Sequence, residues 1–171
     1  RSRPLATGAA RPGEALSVAA ALVCAAFILV LTTNRLTVLL SFVAIPLMAI
    51  YPYMKRYTYL PQFFLGLAFS WGIPMAFAAT GDTVPRIAWL IFIANLLWVV
   101  VFDTIYAMID REDDLKIGIK STAILFDDAD RFFIGVLQVL FLTVLLIVGH
   151  QLHLGTFFRM ALAGAAGLFA Y

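Results

Sequence analysis

Charged residues are scarce in this chain of 171 residues. Asp, Glu, Lys and Arg make up only 13% of the sequence, whereas soluble domains have about a quarter. Hydrophobic residues make up 63%, and the mean hydropathy is +0.97. This balance excludes an ordinary soluble domain and indicates a membrane protein. The net charge of +2 is too small to indicate binding to nucleic acid, so we expect no nucleic-acid partner.

Cysteine and histidine are almost lacking as well. The single cysteine, Cys24, excludes a disulfide within the chain, and its apolar surroundings favour a small buried hydrophobe. The two histidines, His150 and His153, fall in one predicted turn, and we interpret them as interface residues, not metal ligands. An initiator Met and the layout of a signal peptide are missing too. We therefore expect a fragment or processed piece, which begins in a loop at Arg1 and ends in an apolar segment at Tyr171.

Long apolar runs make up most of the chain. A bilayer crossing needs about 20 mostly apolar residues. We predict six such segments, at 14–32, 36–54, 60–79, from 87 into an acidic stretch, 132–149 and 155–171. The third segment is interrupted by Gly72 and Pro74. The expected fold class is therefore all-α, a polytopic transmembrane helical bundle.

The predicted loops differ in basic charge. Six crossings place alternate loops on opposite sides of the membrane, and the positive-inside rule assigns the more basic side to the cytoplasm. Any chemistry among the charged residues is thus expected to face the cytoplasm. The basic side carries Arg1, Arg3, Arg11, Lys55, Arg56, Arg111, Lys116, Lys120 and Arg131, against Arg35, Arg86 and Arg159 on the other.

The most charged stretch is residues 103–121, directly after the fourth apolar run. If one helix continues through it, Asp103, Asp110 and Asp114 fall on one face, because these spacings return to nearly the same direction at about 3.6 residues per turn. Stacked carboxylates repel each other unless a positive charge lies among them. Carboxylate oxygens without nearby Cys or His favour a hard divalent ion, magnesium first.

Lys55 and Arg56 follow the second apolar run, beside Tyr51 and Tyr53. Basic and aromatic residues are common anchors at a membrane interface, and taken alone that interpretation is favoured. These two cations lie, however, on the same predicted side as the acidic stripe. They are therefore candidates to bind a magnesium-bound phosphate. Lys116 and Lys120 are further candidates, although the positive-inside rule supplies such residues without any site.

Three motifs resemble signatures of the UbiA-type intramembrane prenyltransferases. Residues 103–121 (Asp-x-x-Tyr-Ala-x-x-Asp-Arg-x-Asp-Asp-x-x-x-Gly-x-Lys-Ser) resemble the family's second aspartate-rich motif. Residues 3–8 (Arg-Pro-Leu-Ala-Thr-Gly) and 51–56 (Tyr-Pro-x-Met-Lys-Arg) match two further signatures in the expected order. The wording is most similar to that of the 4-hydroxybenzoate polyprenyltransferases of ubiquinone biosynthesis. One departure is Asp127, where family members often have Gly, and it concerns a loop.

The resemblance implies a bundle of nine transmembrane helices with two aspartate-rich motifs around a central cavity. Residues 1–171 would then form a single transmembrane prenyltransferase domain, truncated at both ends. The first aspartate-rich motif, the first two crossings and the last helix would be absent. We expect such a fragment to be inactive by itself.

The implied reaction transfers a polyprenyl group from polyprenyl diphosphate to the ring of 4-hydroxybenzoate, with Mg²⁺ as cofactor. The implied location is the bacterial inner membrane, with several crossings and the active face toward the cytoplasm. Arg56 is also a candidate to hold the benzoate carboxylate, because its planar fork suits that group. The implied catalytic residues are Asp110, Asp114, Lys55 and Arg56, with Asp110, Asp114 and Asp103 as metal ligands and Lys55, Arg56 and Lys120 as diphosphate ligands.

Three other functions compete with this interpretation. The same chemistry on a naphthoate, a haem or a chlorophyll precursor depends on pocket shape, which the sequence does not give. A phosphatidyltransferase of the CDP-alcohol type would have Asp-Gly and Ala-Arg pairs inside the acidic stretch, and these are missing. A cation transporter would have charges near mid-bilayer on several helices, whereas here they collect at one end.

Overall fold

A computed structural model describes Pro4, Leu5 and residues 7–170. Within this part every regular element is helical, so the all-α prediction is confirmed. The predictions for Arg1, Arg3, Ala6 and Tyr171 lie outside the described residues. In chain order the helices are α1 (Pro12–Leu31), α2 (Arg35–Tyr57), α3 (Pro61–Ser70), α4 (Gly72–Gly81), α5 (Arg86–Lys116), α6 (Thr122–Phe126), α7 (Asp130–Gln151) and α8 (Thr156–Phe169).

Five segments are long and apolar enough to cross a membrane, judged by length and composition: α1, α2, α3 with α4, α5, and α6 with α7. Helix α8 is apolar but has only 14 residues. At 1.5 Å per residue it is about 21 Å long, shorter than the hydrocarbon core of a bilayer. The prediction of a polytopic bundle is confirmed, and the sixth predicted segment forms a shorter apolar helix.

The third segment breaks at Trp71, between α3 and α4. The interruption was expected from Gly72 and Pro74. Pro74 lacks a backbone N–H, and its ring clashes with the carbonyl four residues earlier, at Ser70, so one continuous helix is disfavoured there. The indole N–H of Trp71 donates a 2.9 Å hydrogen bond to the carbonyl oxygen of Leu40. This bond ties the break to α2.

Helix α5 lies at the centre of the bundle and packs against α3, α4, α6 and α7. Its buried positions include small residues, such as Ala88, Ala94 and Ala107, which let neighbouring helices approach. Gly66 of α3 serves the same purpose from the other side. A Cβ at Gly66 would lie 3.2 Å from the carbonyl oxygen of Leu96. The acidic stretch is therefore carried by a helix that is packed on several sides.

The outer surface of the bundle is apolar. Helix α1 has no buried residue, and Cys24 is exposed on it. The interpretation of Cys24 as a buried hydrophobe is therefore wrong in this structure. An apolar run indicates burial only where the surroundings are water, and in a bilayer the lipid tails are equally apolar.

Alternate loops lie at opposite ends of the bundle. At one end, the backbone N–H of Lys120 donates a 2.9 Å hydrogen bond to the carbonyl oxygen of Lys55. At the other end, the side-chain amide of Asn34 donates to the carbonyl oxygen of Ala78. The loop after α2 and the connector after α5 thus lie together, away from the loop after α1.

Candidate active site

Helix α5 carries all three acidic residues of the predicted stripe. It runs unbroken through Asp103, Asp110 and Asp114, so the prediction that one helix continues through the acidic stretch is confirmed. Asp110 and Asp114 lie about 6 Å apart along the helix axis, and Asp103 lies about 10 Å from Asp110. Magnesium–oxygen bonds are about 2.0–2.1 Å long. One ion can therefore bind the Asp110–Asp114 pair but cannot bind all three carboxylates.

The Asp110–Asp114 pair suits a hydrated divalent ion. Asp110 is exposed and Asp114 is half-buried. Within residues 7–170, neither carboxylate has a Lys or Arg nitrogen within 4.0 Å, so no direct ion pair neutralises them. The described residues contain no group of three or more His, Cys, Asp or Glu that could hold a metal ion. The pair thus offers two oxygen ligands, and water or phosphate oxygens complete the shell of an ion that binds there.

Lys55 lies beside the acidic stripe. Its ammonium interacts electrostatically with both Asp103 and Asp114. The sequence predicted that the second crossing ends at Met54 and that Lys55 begins a loop. The structure instead extends α2 to Tyr57, so Lys55 is a half-buried helical residue whose backbone is fixed. This correction places the Lys55 backbone at a defined position in the last turn of α2.

The connector after α5 returns the chain to α2. Gly118 has a φ of 70°, a left-handed conformation that favours glycine, and it turns the chain after α5 ends at Lys116. The Lys120 ammonium then lies 3.4 Å from the carbonyl oxygen of Tyr57 and 5.2 Å from the centroid of the Tyr59 ring. Lys120 therefore lies at the same end of the bundle as Lys55, held by a hydrogen bond and a cation–π contact.

A buried polar network fixes the connector. The side-chain oxygen of Gln62 accepts a 3.1 Å hydrogen bond from the backbone N–H of Thr122, and the hydroxyls of Thr122 and Thr104 lie 2.7 Å apart. All three residues are buried, and their hydrogen bonds offset part of the cost of burying polar groups, although the Gln62 side-chain nitrogen has no partner among the described residues. The network joins α3, α5 and α6, so the acidic end of α5 has a fixed position relative to Lys120.

Arg56 points elsewhere. It is exposed, and consecutive residues on a helix do not face the same side, so Arg56 cannot share the direction of Lys55. In the part of the chain that the structure describes, Arg56 makes no ion pair within 4.0 Å. The structure thus places Lys55 near the carboxylates. The roles that the sequence predicts for Arg56 stay predictions.

A cavity of about 660 Å³ opens beside Asp103. Pockets of about 300–1,000 Å³ hold small ligands. Tyr51 interacts electrostatically with Asp103 at one part of the wall, and most other lining residues are apolar. The cavity can therefore hold an apolar molecule next to a carboxylate. Its walls are formed by Tyr51, Leu65, Phe69, Asn95, Trp98, Val99, Phe102 and Asp103.

Of the residues that line this cavity, the sequence predicts a site role for Asp103 alone. The pattern around Tyr51 is typical of an interface anchor, and Asn95 is the other polar lining residue that the prediction lacks. The side-chain amide of Asn95 donates a 3.0 Å hydrogen bond to the hydroxyl of Ser70. The available signal was the presence of a lone amide in the apolar run 87–102, since such a group needs a partner or a cavity.

Two other groups of polar residues lie outside this arrangement. Arg111 follows Asp110 but turns toward the start of α7, where it pairs with Asp130 and lies 3.7 Å from Asp127. His150 and His153 lie at the turn between α7 and α8, far along α7 from Asp130. Neither group contributes to the Asp110–Asp114 pair.

Solved structures share this architecture. The apo structure of a UbiA homolog from Aeropyrum pernix K1 matches with a TM-score of 0.85 and 26% sequence identity, over 99% of this chain and 65% of that one. A structure of digeranylgeranylglyceryl phosphate synthase matches with a TM-score of 0.70 and 22% identity, over 98% of this chain and 60% of that one. The second likeness concerns the fold alone.

Curated relatives have higher sequence identity to this chain than these two solved structures have. A 4-hydroxybenzoate octaprenyltransferase of Pseudomonas putida (strain GB-1) is 60% identical over 169 residues, which is 99% of this chain and 57% of the relative. The protein of the same name from Aeromonas salmonicida (strain A449) is 53% identical over 169 residues, 99% of this chain and 58% of the relative. This chain thus spans less than two thirds of their length. The UbiA prenyltransferase family model matches residues 1–171, and the chain belongs to that family.

Proposed function

We propose that the protein transfers a polyprenyl group from polyprenyl diphosphate to the ring of 4-hydroxybenzoate, a step of ubiquinone biosynthesis. The observation that carries this proposal is that Lys55 lies within electrostatic range of Asp103 and Asp114, and that Asp103 lines an apolar cavity. The names of relatives that are 53% and 60% identical support this acceptor. In this proposal residues 1–171 belong to a single transmembrane prenyltransferase domain.

Enzymes of this family generally depend on a divalent metal ion. We place it at Asp110 and Asp114, and an all-oxygen donor set favours Mg²⁺. An ion held by these two carboxylates would supply positive charge to neutralise the leaving diphosphate. Asp103 was also predicted to be a metal ligand, but it lies too far along α5 to bind the same ion. Its position in the cavity wall suits a carboxylate that accepts the proton lost by the acceptor ring.

Lys55, Arg56 and Lys120 are the proposed cations for the diphosphate. Charge-assisted hydrogen bonds to phosphate are stronger than neutral ones. Lys55 is the best supported of the three because its ammonium lies within electrostatic range of Asp103 and Asp114. Arg56 has a second proposed role, which is to hold the carboxylate of 4-hydroxybenzoate with its planar guanidinium group.

The reaction breaks the allylic carbon–oxygen bond, and the electron pair leaves with the diphosphate. The ring carbon ortho to the phenol then forms a bond to the allylic carbon, and the ring loses its proton. Water would capture the allylic cation, so the site must exclude it. The apolar side chains around the cavity, including Phe69, Trp98 and Phe102, supply that exclusion.

The chain has the character of a multi-pass membrane protein, and bacterial relatives indicate an inner membrane. We propose that the Asp110–Asp114 end faces the cytoplasm. The excess of Lys and Arg in the loops of that end supports this orientation. Labelling of a Lys116→Cys variant, compared between inverted and right-side-out vesicles, tests this orientation.

The function is tested by incubating membranes that contain the full-length protein with 4-hydroxybenzoate, a polyprenyl diphosphate and Mg²⁺, and measuring products by mass spectrometry. We expect prenylated 4-hydroxybenzoate that is absent from control membranes. A naphthoate offered in parallel should give no product. Product from the naphthoate alone would contradict the proposed acceptor, and no product from any acceptor would contradict the proposed chemistry.

A further inference from the structure

Two cavities meet at the middle of α5. The first is the cavity of about 660 Å³ that contains Asp103. The second has about 450 Å³ and lies among α4, α5, α7 and α8, with an almost wholly apolar lining. Of the described residues that line these cavities, Asn95 and Trp98 are the two that line both. The two side chains therefore lie at the boundary where the cavities adjoin, and Trp98 is also exposed at the outer surface of the bundle. We call this pair the partition.

The partition is held in place by contacts with other helices. The Trp98 ring lies 5.5 Å from the Phe141 ring on α7 and is stacked 5.9 Å from the Phe169 ring on α8, measured between centroids. Such aromatic pairs are attractive beyond the area that they bury. The side-chain amide of Asn95 is held by the hydroxyl of Ser70 at 3.0 Å. Neither side chain is free to swing away without losing a contact.

The partition lies at a defined depth below the charged end. At 1.5 Å per residue, Trp98 is about 7.5 Å and Asn95 about 12 Å from Asp103 along the axis of α5. Along the same helix axis, Trp98 is about 18 Å from Asp110. A molecule whose charged head lies at the Asp110–Asp114 pair and whose apolar tail follows the first cavity therefore meets the Trp98 ring.

We propose that Trp98, supported by Asn95, determines specificity for the length of the apolar tail of the diphosphate substrate. The proposal rests on the proposed prenyl transfer. The indole ring closes the first cavity against the second, and it turns a long tail out of the protein while a short tail fits in front of it. Lipid tails are as apolar as the second cavity, so a long tail gains no apolar contact by entering it. A long tail is instead disfavoured by the bend that the Trp98 ring forces on it, and removal of the ring relieves that bend.

The test compares octaprenyl and geranyl diphosphate as substrates of the full-length protein and of its Trp98→Ala variant. Removal of the indole ring joins the two cavities and gives the long tail a second compartment. We expect the ratio of kcat/KM for octaprenyl to that for geranyl diphosphate to rise about tenfold or more, the scale on which apolar pockets discriminate. Trp98→Leu covers the case in which the Ala variant does not fold, and it should raise the ratio less.

Two variants serve as matched controls. Trp98→Phe keeps a ring against Phe141 and should leave the ratio close to that of the unsubstituted protein. Trp89→Ala removes an indole from the same helix, where it packs on Trp71 and Phe92 at 6.2 and 5.7 Å and lines neither cavity. A ratio that shifts equally in Trp89→Ala would overturn the assignment to Trp98.

A binding measurement separates this inference from the proposed function. Dissociation constants of the octaprenyl and geranyl thiodiphosphates, which react slowly, can be measured by calorimetry without turnover. If the protein binds both but never prenylates 4-hydroxybenzoate, the proposed function fails while the binding ratio still tests the partition. If a folded Trp98→Ala or Trp98→Leu protein keeps the original ratio in both assays, the partition does not set specificity and the inference is overturned.

Discussion

The backbone N–H of Lys120 donates a 2.9 Å hydrogen bond to the carbonyl oxygen of Lys55. This bond joins the connector after α5 to the last turn of α2, two segments that are distant in sequence. It gathers both ammonium groups at the end of the bundle that carries Asp110 and Asp114. A site for an anion and its metal ion needs both signs of charge close together, and this contact brings them there.

Lys55→Gln removes the charge that faces Asp103 and Asp114. A hydrogen bond to a charged group contributes about 1.5–3 kcal/mol, so kcat/KM for the diphosphate should fall about tenfold or more. Steady-state kinetics in membranes measure this change in kcat/KM. Lys116→Gln is the matched control, because Lys116 pairs with Asp113 at 3.2 Å on the exposed surface, where such pairs contribute little. Equal losses in the two variants would contradict the role of Lys55.

Arg56→Lys separates the two proposed roles of Arg56. The substitution keeps the charge and removes the planar fork that suits a carboxylate. If Arg56 holds the acceptor, the KM for 4-hydroxybenzoate should rise while the KM for the diphosphate stays nearly constant. Kinetics with each substrate varied in turn measure both values. An increase in the KM for the diphosphate alone would assign Arg56 to the diphosphate instead.

Asp130→Ala should destabilise the fold. Asp130 is buried and pairs with Arg111, whose side chain is only 24% exposed. Removal of one partner from a fully buried pair costs about 3–5 kcal/mol, and we expect a smaller loss here because Arg111 is partly exposed and keeps Asp127 at 3.7 Å. Asp127→Ala is the control, since the Asp127 side chain is 77% exposed and lies 3.7 Å from Arg111. Thermal unfolding in detergent should show a clearly larger drop in the midpoint for Asp130→Ala, and equal midpoints would contradict this assignment.

Chelation of divalent ions should stop the reaction, and added Mg²⁺ should restore it. The Asp110–Asp114 pair offers two carboxylates and no nitrogen or sulfur ligand, which favours a small hard ion that keeps several waters. Ca²⁺ should restore less activity, because it prefers more ligands at longer distances. Product measured before chelation, after it and after each addition tests this, and full activity in chelator would refute the metal requirement.

The acidic face of α5 could be predicted from the sequence because it depends only on helix periodicity and on the length of one apolar run. The charged end of the bundle could also be predicted, because successive crossings place alternate loops, and their charged residues, at the same end. The end of α2 could not be predicted as well. The sequence pattern predicts that α2 ends at Met54, whereas in the structure it ends at Tyr57. Lys120 forms hydrogen bonds to the carbonyl oxygens of Lys55 and Tyr57 in this last turn. Helix ends that depend on distant segments leave no local signal.

The cavity could not be predicted, because it depends on which side chains of α2, α3 and α5 meet. Tyr51 was indistinguishable from an interface anchor. Asn95 did leave a signal, an amide in an apolar run, although its partner Ser70 lies on another helix. Cys24 shows the opposite failure, because apolar neighbours in a membrane protein indicate lipid contact as readily as burial.

Turnover of full-length protein carrying Asp110→Asn or Asp114→Asn measures most directly whether this pair acts in prenyl transfer. Each substitution removes a carboxylate charge and keeps the shape of the side chain. Glu112→Gln on the same exposed part of α5 is the control. With equal protein in the membrane, we predict that prenylated 4-hydroxybenzoate falls at least about 100-fold in both Asp variants, a loss typical for groups that stabilise developing charge, and stays near the original level in Glu112→Gln. Full turnover in either Asp variant would contradict the proposed metal site.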